Sequence, residues 1–449
     1  MKKDVAKIMF IVMILSSIFV SSAYADVDDK KLYMIIFKQA EPGEIASSLQ
    51  NLIENGIDTS QIISSGTAEA KQGITDELNL DGEVIAIVDG SNGILANIDQ
   101  IEADRLSALD QVESIEEDSI MTADLIETPF EVGDEEHTPP LSTQKNSGWG
   151  LARIHQSTAT SDNSYQYQYD GSGRTIYVLD SGLNINDPKV AAEFGDRASI
   201  LWDVNFAGKG EDCHGHGSMV SSAAAGKTYG TAKGATLKMI KITEGCNGYT
   251  FTTTSVRALY WIAKHAPKGS IVVRSYGFKD RGSHIRIPCK RTFSSPMLEA
   301  AIKKAYNAGM FVVISAGNDA CDTKNYSPTN IPESFVVGST SNLDFANGKD
   351  RIASFSRKGT NISTFAPGTN LLLMNKDGQP ISGSGTSFSA PYVAGTIAVV
   401  CQAVGTLCKS KDMAYLYDEF RGTGTLNTVT NTDGTTLTGA TSRFISQQW

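Results

Sequence analysis

The first 212 residues contain no cysteine, and nowhere does the chain hold a Cys-x-x-Cys pair. A thiolate zinc site of the usual spacing is thereby not expected. Past residue 20 no apolar run approaches the roughly 20 residues that a membrane-spanning helix needs. Runs of Lys and Arg are also missing, so the electrostatic footprint of a nucleic-acid binder is absent. Basic residues are scarcest over 26–125, where 22 acidic side chains face 5 basic ones, a net of −17. Residues 148–449 carry +8 by the same count. Two oppositely charged parts explain this better than one domain of such asymmetry.

The first 25 residues stand apart. Lys2, Lys3 and Lys7 lead into a 13-residue apolar run over 8–20, and Ala23-Tyr24-Ala25 follows. That order predicts a secretory signal cleaved after Ala25 and an exported product, extracellular or periplasmic, with no membrane partner. Six cysteines, Cys213, Cys246, Cys289, Cys321, Cys401 and Cys408, then suggest disulfides. At 449 residues, with 41% apolar and 20% charged content, the rest is globular and larger than one typical domain.

Residues 26–125 read as a small α+β unit. Strands over 32–37, 83–88 and 112–117 and helices over 42–55 and 101–109 give the order of a ferredoxin-like fold. Residues 126–147 are acidic, carry Pro139-Pro140 and lack periodicity, which marks an exposed linker. From 148 to 449 short apolar runs rich in β-branched residues (174–179, 198–204, 235–242, 270–276, 310–314 and 334–338) alternate with helical patterns. The helices fall over 218–225, 253–265 and 296–307. This predicts an α/β domain, a parallel sheet with helices on both faces.

One stretch organises that domain: Gly383-Ser384-Gly385-Thr386-Ser387-Phe388-Ser389-Ala390-Pro391. An apolar run follows at once, so a buried helix is expected with Ser387 in its first turn. A serine there projects from a rigid element beside unpaired backbone N–H groups, as an acyl-transfer nucleophile requires. A capping serine in a Gly/Ser loop would read the same over this stretch alone. Asp180 closes the strand Thr175-Ile176-Tyr177-Val178-Leu179, at the end of a parallel strand where open α/β sheets place their sites. His216 lies in Asp212-Cys213-His214-Gly215-His216-Gly217-Ser218 and opens a helix of small residues. Asn318 ends Val312-Val313-Ile314-Ser315-Ala316-Gly317-Asn318, where its amide could donate to an oxyanion. Each would be unremarkable alone.

Asp180, His216 and Ser387 come in the chain order that subtilisin uses, each in a glycine-containing motif at an element boundary. The chain resembles the subtilisin-like serine proteases (subtilases), and among them the proteinase K-like branch. The resemblance rests on Leu179-Asp180-Ser181-Gly182, His214-Gly215-His216-Gly217-Ser218, Ser315-Ala316-Gly317-Asn318 and Gly385-Thr386-Ser387-Phe388-Ser389-Ala390-Pro391. Trp149-Gly150-Leu151-Ala152-Arg153-Ile154, Tyr229-Gly230-Thr231-Ala232-Lys233 and Phe365-Ala366-Pro367-Gly368 match as well. It covers 148–449, and 26–125 resembles the family's inhibitory prodomain.

The resemblance implies a secreted serine endopeptidase acting on proteins or peptides, made as an autoprocessed zymogen and working as a monomer. Ser387 would be the nucleophile, His216 the base, Asp180 its orienting partner, and Asn318 an oxyanion donor. Ser275, Tyr276 and Gly277 would pair with an extended substrate, and Ser315, Ala316 and Gly317 would wall the pocket before the cut. The first self-cleavage is expected within 119–126, after which the prodomain would stay bound as inhibitor. The family's second histidine is Met219 here, His214 is a loop residue, and Ser387-Phe388-Ser389 replaces Ser-Met-Ala. A carboxylate that binds calcium in relatives falls at Ser363, so no metal or other cofactor is carried over. Relatives bridge the histidine loop to a point 30-odd residues on, which implies Cys213–Cys246. Cys401–Cys408 would close a small loop, leaving Cys289 with Cys321. Two other functions stay open: a catalytically dead scaffold, and a toxin-like processing protease narrowed by the basic segment 278–293.

Overall fold

The computed structural model describes residues 30–38, 68–88, 93–122, 126–128, 143–156, 162–203, 210–278, 289, 292–342, 348–423 and 429–433. They divide into two compact units, with the change falling between Glu117 and Asp118. The first unit holds β1 (Lys31–Phe37), α1 (Ala68–Leu78), β2 (Gly82–Val88), β3 (Gly93–Ile98), α2 (Gln100–Ser107) and β4 (Val112–Glu117). Its sheet runs β2-β3-β1-β4, and β1 is antiparallel to both neighbours. The described elements of this unit run β-α-β-β-α-β, and the strands expected over 32–37, 83–88 and 112–117 are among them. Ile35, Ile74, Ile87, Ile94 and Leu106 form its core. The helix α1 and the strand β3 escaped the sequence reading: α1 has Gly73 in mid-helix and only two apolar anchors, Ile74 and Leu78. The helix expected over 42–55 lies outside the described residues.

In the second unit the alternation is as the sequence predicts. The described elements include β5 (Ile120–Thr122), β6 (Ile126–Thr128), α3 (Trp149–His155), β7 (Thr175–Asp180), β8 (Ala198–Asp203), α4 (His216–Ala225), β9 (Thr236–Lys241), β10 (Tyr249–Phe251), α5 (Thr252–His265), β11 (Ile271–Arg274) and β12 (Gly277–Phe278). Further on come α6 (Pro296–Asn307), β13 (Phe311–Ser315), β14 (Phe335–Ser341), β15 (Asp350–Ile352), β16 (Ile362–Pro367), β17 (Leu371–Met374), β18 (Pro380–Ser384), α7 (Thr386–Ala403), α8 (Met413–Thr423) and β19 (Val429–Thr430). The main sheet has the order β8-β9-β7-β11-β13-β14-β15-β19, with β16 also on β14. Its pairs are parallel except β14 with β15.

After β7 the chain goes to the edge as β8, returns to lay β9 between β8 and β7, then crosses to the other side of β7 to lay down β11 and β13. The strand order therefore reverses at β7, and the loops leaving β7, β11 and β13 gather at one carboxyl edge. Behind that edge α7 is buried from Thr386 to Cys401. Val393, Ala394, Ile397 and Ala398 share one core with Val178, Val273 and Val313 from the sheet and Val220 from α4. A helix apolar on every side can only persist inside a core, which is what fixes its first turn. Gly395 lets α4 come close: a Cβ there would stand 2.6 Å from the Ala224 carbonyl. The fully buried pair Arg153–Asp350 (3.1 and 2.7 Å) ties α3 to β15.

Candidate active site

The three strand ends supply three pieces of the site. Asp180 ends β7 wholly buried, and one carboxylate oxygen lies 2.7 Å from His216 Nδ1 while also accepting from Ser181 N–H at 2.7 Å. His216 opens α4, whose N-cap Gly215 has φ +111° and no side chain to offer. The missing cap comes from Asp212. One of its oxygens accepts from His214 N–H (3.1 Å), Gly215 N–H (2.7 Å) and the Ser181 hydroxyl (2.9 Å), and the other from Ser218 N–H (2.8 Å). Ser181 in turn accepts from Gly217 N–H at 2.8 Å. Gly217 is required here, since a Cβ would stand 2.2 Å from the Gly182 carbonyl. The loop that carries Asp180 and the helix that carries His216 are thus locked together through one buried carboxylate. Sequence reasoning passed over Asp212; its only signal was an acidic residue just ahead of a helix with glycine at the cap.

Ser387 is the second residue of α7, 2% exposed. The next ring in the chain, Phe388, lies 5.6 Å from the His216 ring, and Tyr276 meets that ring edge-on at 5.8 Å. Pro391, four residues after Ser387, has no N–H, so the Ser387 carbonyl lacks its intrahelical donor. The Ser275 hydroxyl donates to that carbonyl at 3.0 Å, and the Ser387 hydroxyl donates back to the Ser275 carbonyl at 3.4 Å. Asn318 lies beyond the end of β13. Its Oδ1 accepts from both the N–H (2.9 Å) and the hydroxyl (2.9 Å) of Thr386. An N–H can only donate, so the amide's orientation is fixed with Nδ2 turned away from Thr386. The same bond caps α7, because Gly385 has no side chain to do it.

Two strands of this unit lie along the site. β5 is the middle strand of an antiparallel sheet β10-β5-β12, with Thr122 opposite both Tyr249 and Gly277 and Met121 opposite both Thr250 and Phe278. β6 pairs antiparallel with β18, which runs directly into Gly385. Residues 126–128, placed in the linker by the sequence reading, are thus strand. Gly277 pairs with β5 of the chain itself.

A family model described as the subtilase family matches residues 171–432. The chain belongs to that family. Alkaline serine exoprotease A of Vibrio alginolyticus is 31% identical over 331 residues, 73% of this chain and 55% of that protein. An extracellular serine proteinase of Thermus sp. is 32% identical over 60% of this chain and 61% of its own length. A cuticle-degrading serine protease of Arthrobotrys oligospora is 31% identical over 70% of this chain and 69% of its own length. The chain therefore spans a little over half the length of the first two relatives. A solved cold-adapted subtilisin-like serine proteinase, 29% identical, superposes with a TM-score of 0.57 over 68% of this chain and 100% of that one. A psychrophilic protease at 20% identity and TM-score 0.54 shares the fold.

The remaining candidate residues of this subtilase fall as follows. Ser315 and Ala316 are buried, with Ala316 packed beside Val336 and Phe365, and Gly317 N–H donates to the Thr386 hydroxyl at 3.1 Å. Arg357 lies against Gly317, bound to both oxygens of Asp319 (2.7 and 2.6 Å) and stacked 3.5 Å over Tyr326. Met219 is a core residue, and Ser389 donates to the Pro367 carbonyl at 2.9 Å. The disulfides are Cys213–Cys246, Cys289–Cys321 and Cys401–Cys408. At Ser363 the hydroxyl accepts from Val336 N–H (3.1 Å) and Arg421 Nε (3.3 Å), while Arg421 Nη2 donates to the Pro332 carbonyl (3.0 Å). A guanidinium on these acceptors does not fit a calcium ion. Among the described residues no cluster suited to a metal occurs, and no helix is long and apolar enough to cross a membrane.

Proposed function

We propose that this subtilase is a secreted serine endopeptidase, made as a precursor that cuts itself between Thr122 and Ile126. The observation that carries this reading is the placement of β5 and β6. One lies on the strand that follows Ser275, the other on the strand that runs into Ser387, and the residues between them number only 123–125. Strands held to either side of a nucleophile would present the peptide between them as a substrate, with orientation fixed in advance.

Chemistry follows from the groups in place. Rotation about its Cα–Cβ bond carries the Ser387 hydroxyl from the Ser275 carbonyl toward His216. His216 takes the proton as Ser387 Oγ adds to the scissile carbonyl, and later returns it to the leaving amine. Asp180, already on Nδ1, holds the productive tautomer and stabilises the imidazolium. Asn318 Nδ2 and the Ser387 N–H, which has no acceptor one turn back in the helix, receive the oxyanion. Peptides and proteins are the substrate class. Residues 26–125 act as prodomain, and the −17 charge there, against +8 over 148–449, speeds its rebinding as an inhibitor in a salt-sensitive way. Arg421 takes the place of a cation at Ser363, so a chelator leaves that corner unchanged.

Ser387→Ala decides the reading. The purified variant should remain uncut and refuse a serine-directed phosphonate, while wild type shows a new N-terminus within 123–126. A cut in that window of the variant, made without another protease, would sink the proposal.

A further inference from the structure

Arg274 ends β11 with its side chain wholly buried. Its Nη1 donates to the Tyr276 carbonyl at 2.9 Å, its Nη2 lies against the Met121 sulfur, and its Nε has no acceptor. No carboxylate pairs with it among the described residues, and burial pulls its pKa down to about 10. A guanidinium withdrawn from water without a partner charge is a heavy burden on a fold, and a thioether is a weak acceptor. Met121 is itself 0% exposed in the middle strand of the groove sheet. The groove thus presents a buried cation to whatever side chain occupies the strand position of Met121.

We propose that Arg274 makes a substrate subsite for an acidic side chain at the position Met121 holds, with glutamate preferred. The proposal rests on reading this groove as the substrate groove. Glutamate matches methionine in length to the fourth side-chain atom. Its carboxylate therefore falls where the thioether stands, within reach of Nη2 and of the unsatisfied Nε, the geometry of a bidentate pair. The chain's own segment fills the strand yet leaves the charge unanswered, so an acidic substrate displaces it. A lysine at that position would set two cations together out of water.

Two measurements test this separately from catalysis and through it. In full-length Ser387→Ala protein, which retains its segment, Met121→Glu should raise the unfolding midpoint and Met121→Lys should lower it. Adding Arg274→Met should reverse the Met121→Glu effect. Should Arg274→Met fail to fold, the Glu and Lys variants still read the charge. Equal midpoints for the two overturn the proposal. For processed wild type, quenched peptides spanning residues 117–130 carry Met, Glu, Gln or Lys at the fifth position. Glutamate should exceed methionine in kcat/KM by roughly tenfold, with lysine lowest. Equal turnover of all four overturns the subsite. If none is cut while the midpoints still follow charge, the protease reading falls and the acidic site stands.

Discussion

The two strands on either side of residues 123–125 are held unequally. Upstream, β5 lies between two strands, Met121 is wholly buried, and Asp118 reaches the start of α5. That carboxylate accepts from Thr253 N–H at 3.1 Å and from the Thr253 hydroxyl, on a helix whose own N-cap, Phe251, makes no side-chain bond. Downstream, β6 has a single partner among the described residues, β18, with three residue pairs in register. A groove that grips one side of a cut and barely holds the other releases the second product and keeps the first. Under the proposed self-cleavage, retention of the freed N-terminal part as an inhibitor would then follow from where the hydrogen bonds are, before any charge is considered.

The comparison can be broken most completely at Ser387. Ser387→Ala keeps the two strands joined and should lower peptide hydrolysis by roughly 10⁴-fold or more, read from kcat/KM on a small amide. Asn318 comes next. Asn318→Leu should cost about 10²–10³ in kcat, the range known for this donor in subtilisin. It also removes the cap on α7, worth about 1 kcal/mol of stability. Asn318→Asp keeps an acceptor for Thr386 but not the donor. It should lose the rate with less of the stability; equal losses of stability in the two variants would show that Oδ1 is no cap.

Asp118 sharpens the upstream side. Burial raises its carboxyl to about 6, with hydrogen bonds from Thr253 and Ser119 pulling the other way. A free aspartate titrates near 4, so the docked segment takes up a proton as pH falls between these values. Docking is strongest below the free value and weakens as pH rises through about 6. Inhibition by separately made 26–125 should therefore loosen by roughly tenfold from pH 4.5 to pH 7. Asp118→Asn should flatten that profile and bind at least as well at pH 7, whereas Asp118→Ala should bind several-fold worse throughout. The smallest effect belongs downstream: 26–128 should inhibit within about threefold of 26–125. A larger gain would mean that β6, and not β5, anchors the segment.

What could be read from the sequence was whatever is local. Asp180, His216, Asn318 and Ser387 each sit in a short motif, and the helix over 296–307 follows its own periodicity to the residue. The strands of the sheet were found within one to three residues, except those that lack a continuous apolar run. β16, Ile-Ser-Thr-Phe-Ala-Pro, has no such run, because its burial comes from lying beside β14 and under α7, a fact of pairing across the chain. Asp212, Arg274 and Arg357 were missed for a related reason. A buried charge is written in sequence as an ordinary charge, and only the fold reveals who stands next to it. Likewise 126–128 looked like linker until β18 supplied a partner for it.

Pro391 is an interruption in a helix, and its effect is felt one turn earlier. Because no amide hydrogen competes for the Ser387 carbonyl, Ser275 can claim it, and the first turn of α7 is joined to the residues that lead into β12. Depth is thereby built in. A chain laid against Gly277 meets Ser387 at a height set by one hydrogen bond and not by the elasticity of a whole domain. The helix surrenders a rung of its ladder, and the joint between α7 and the chain entering β12 is stiffened by that loss.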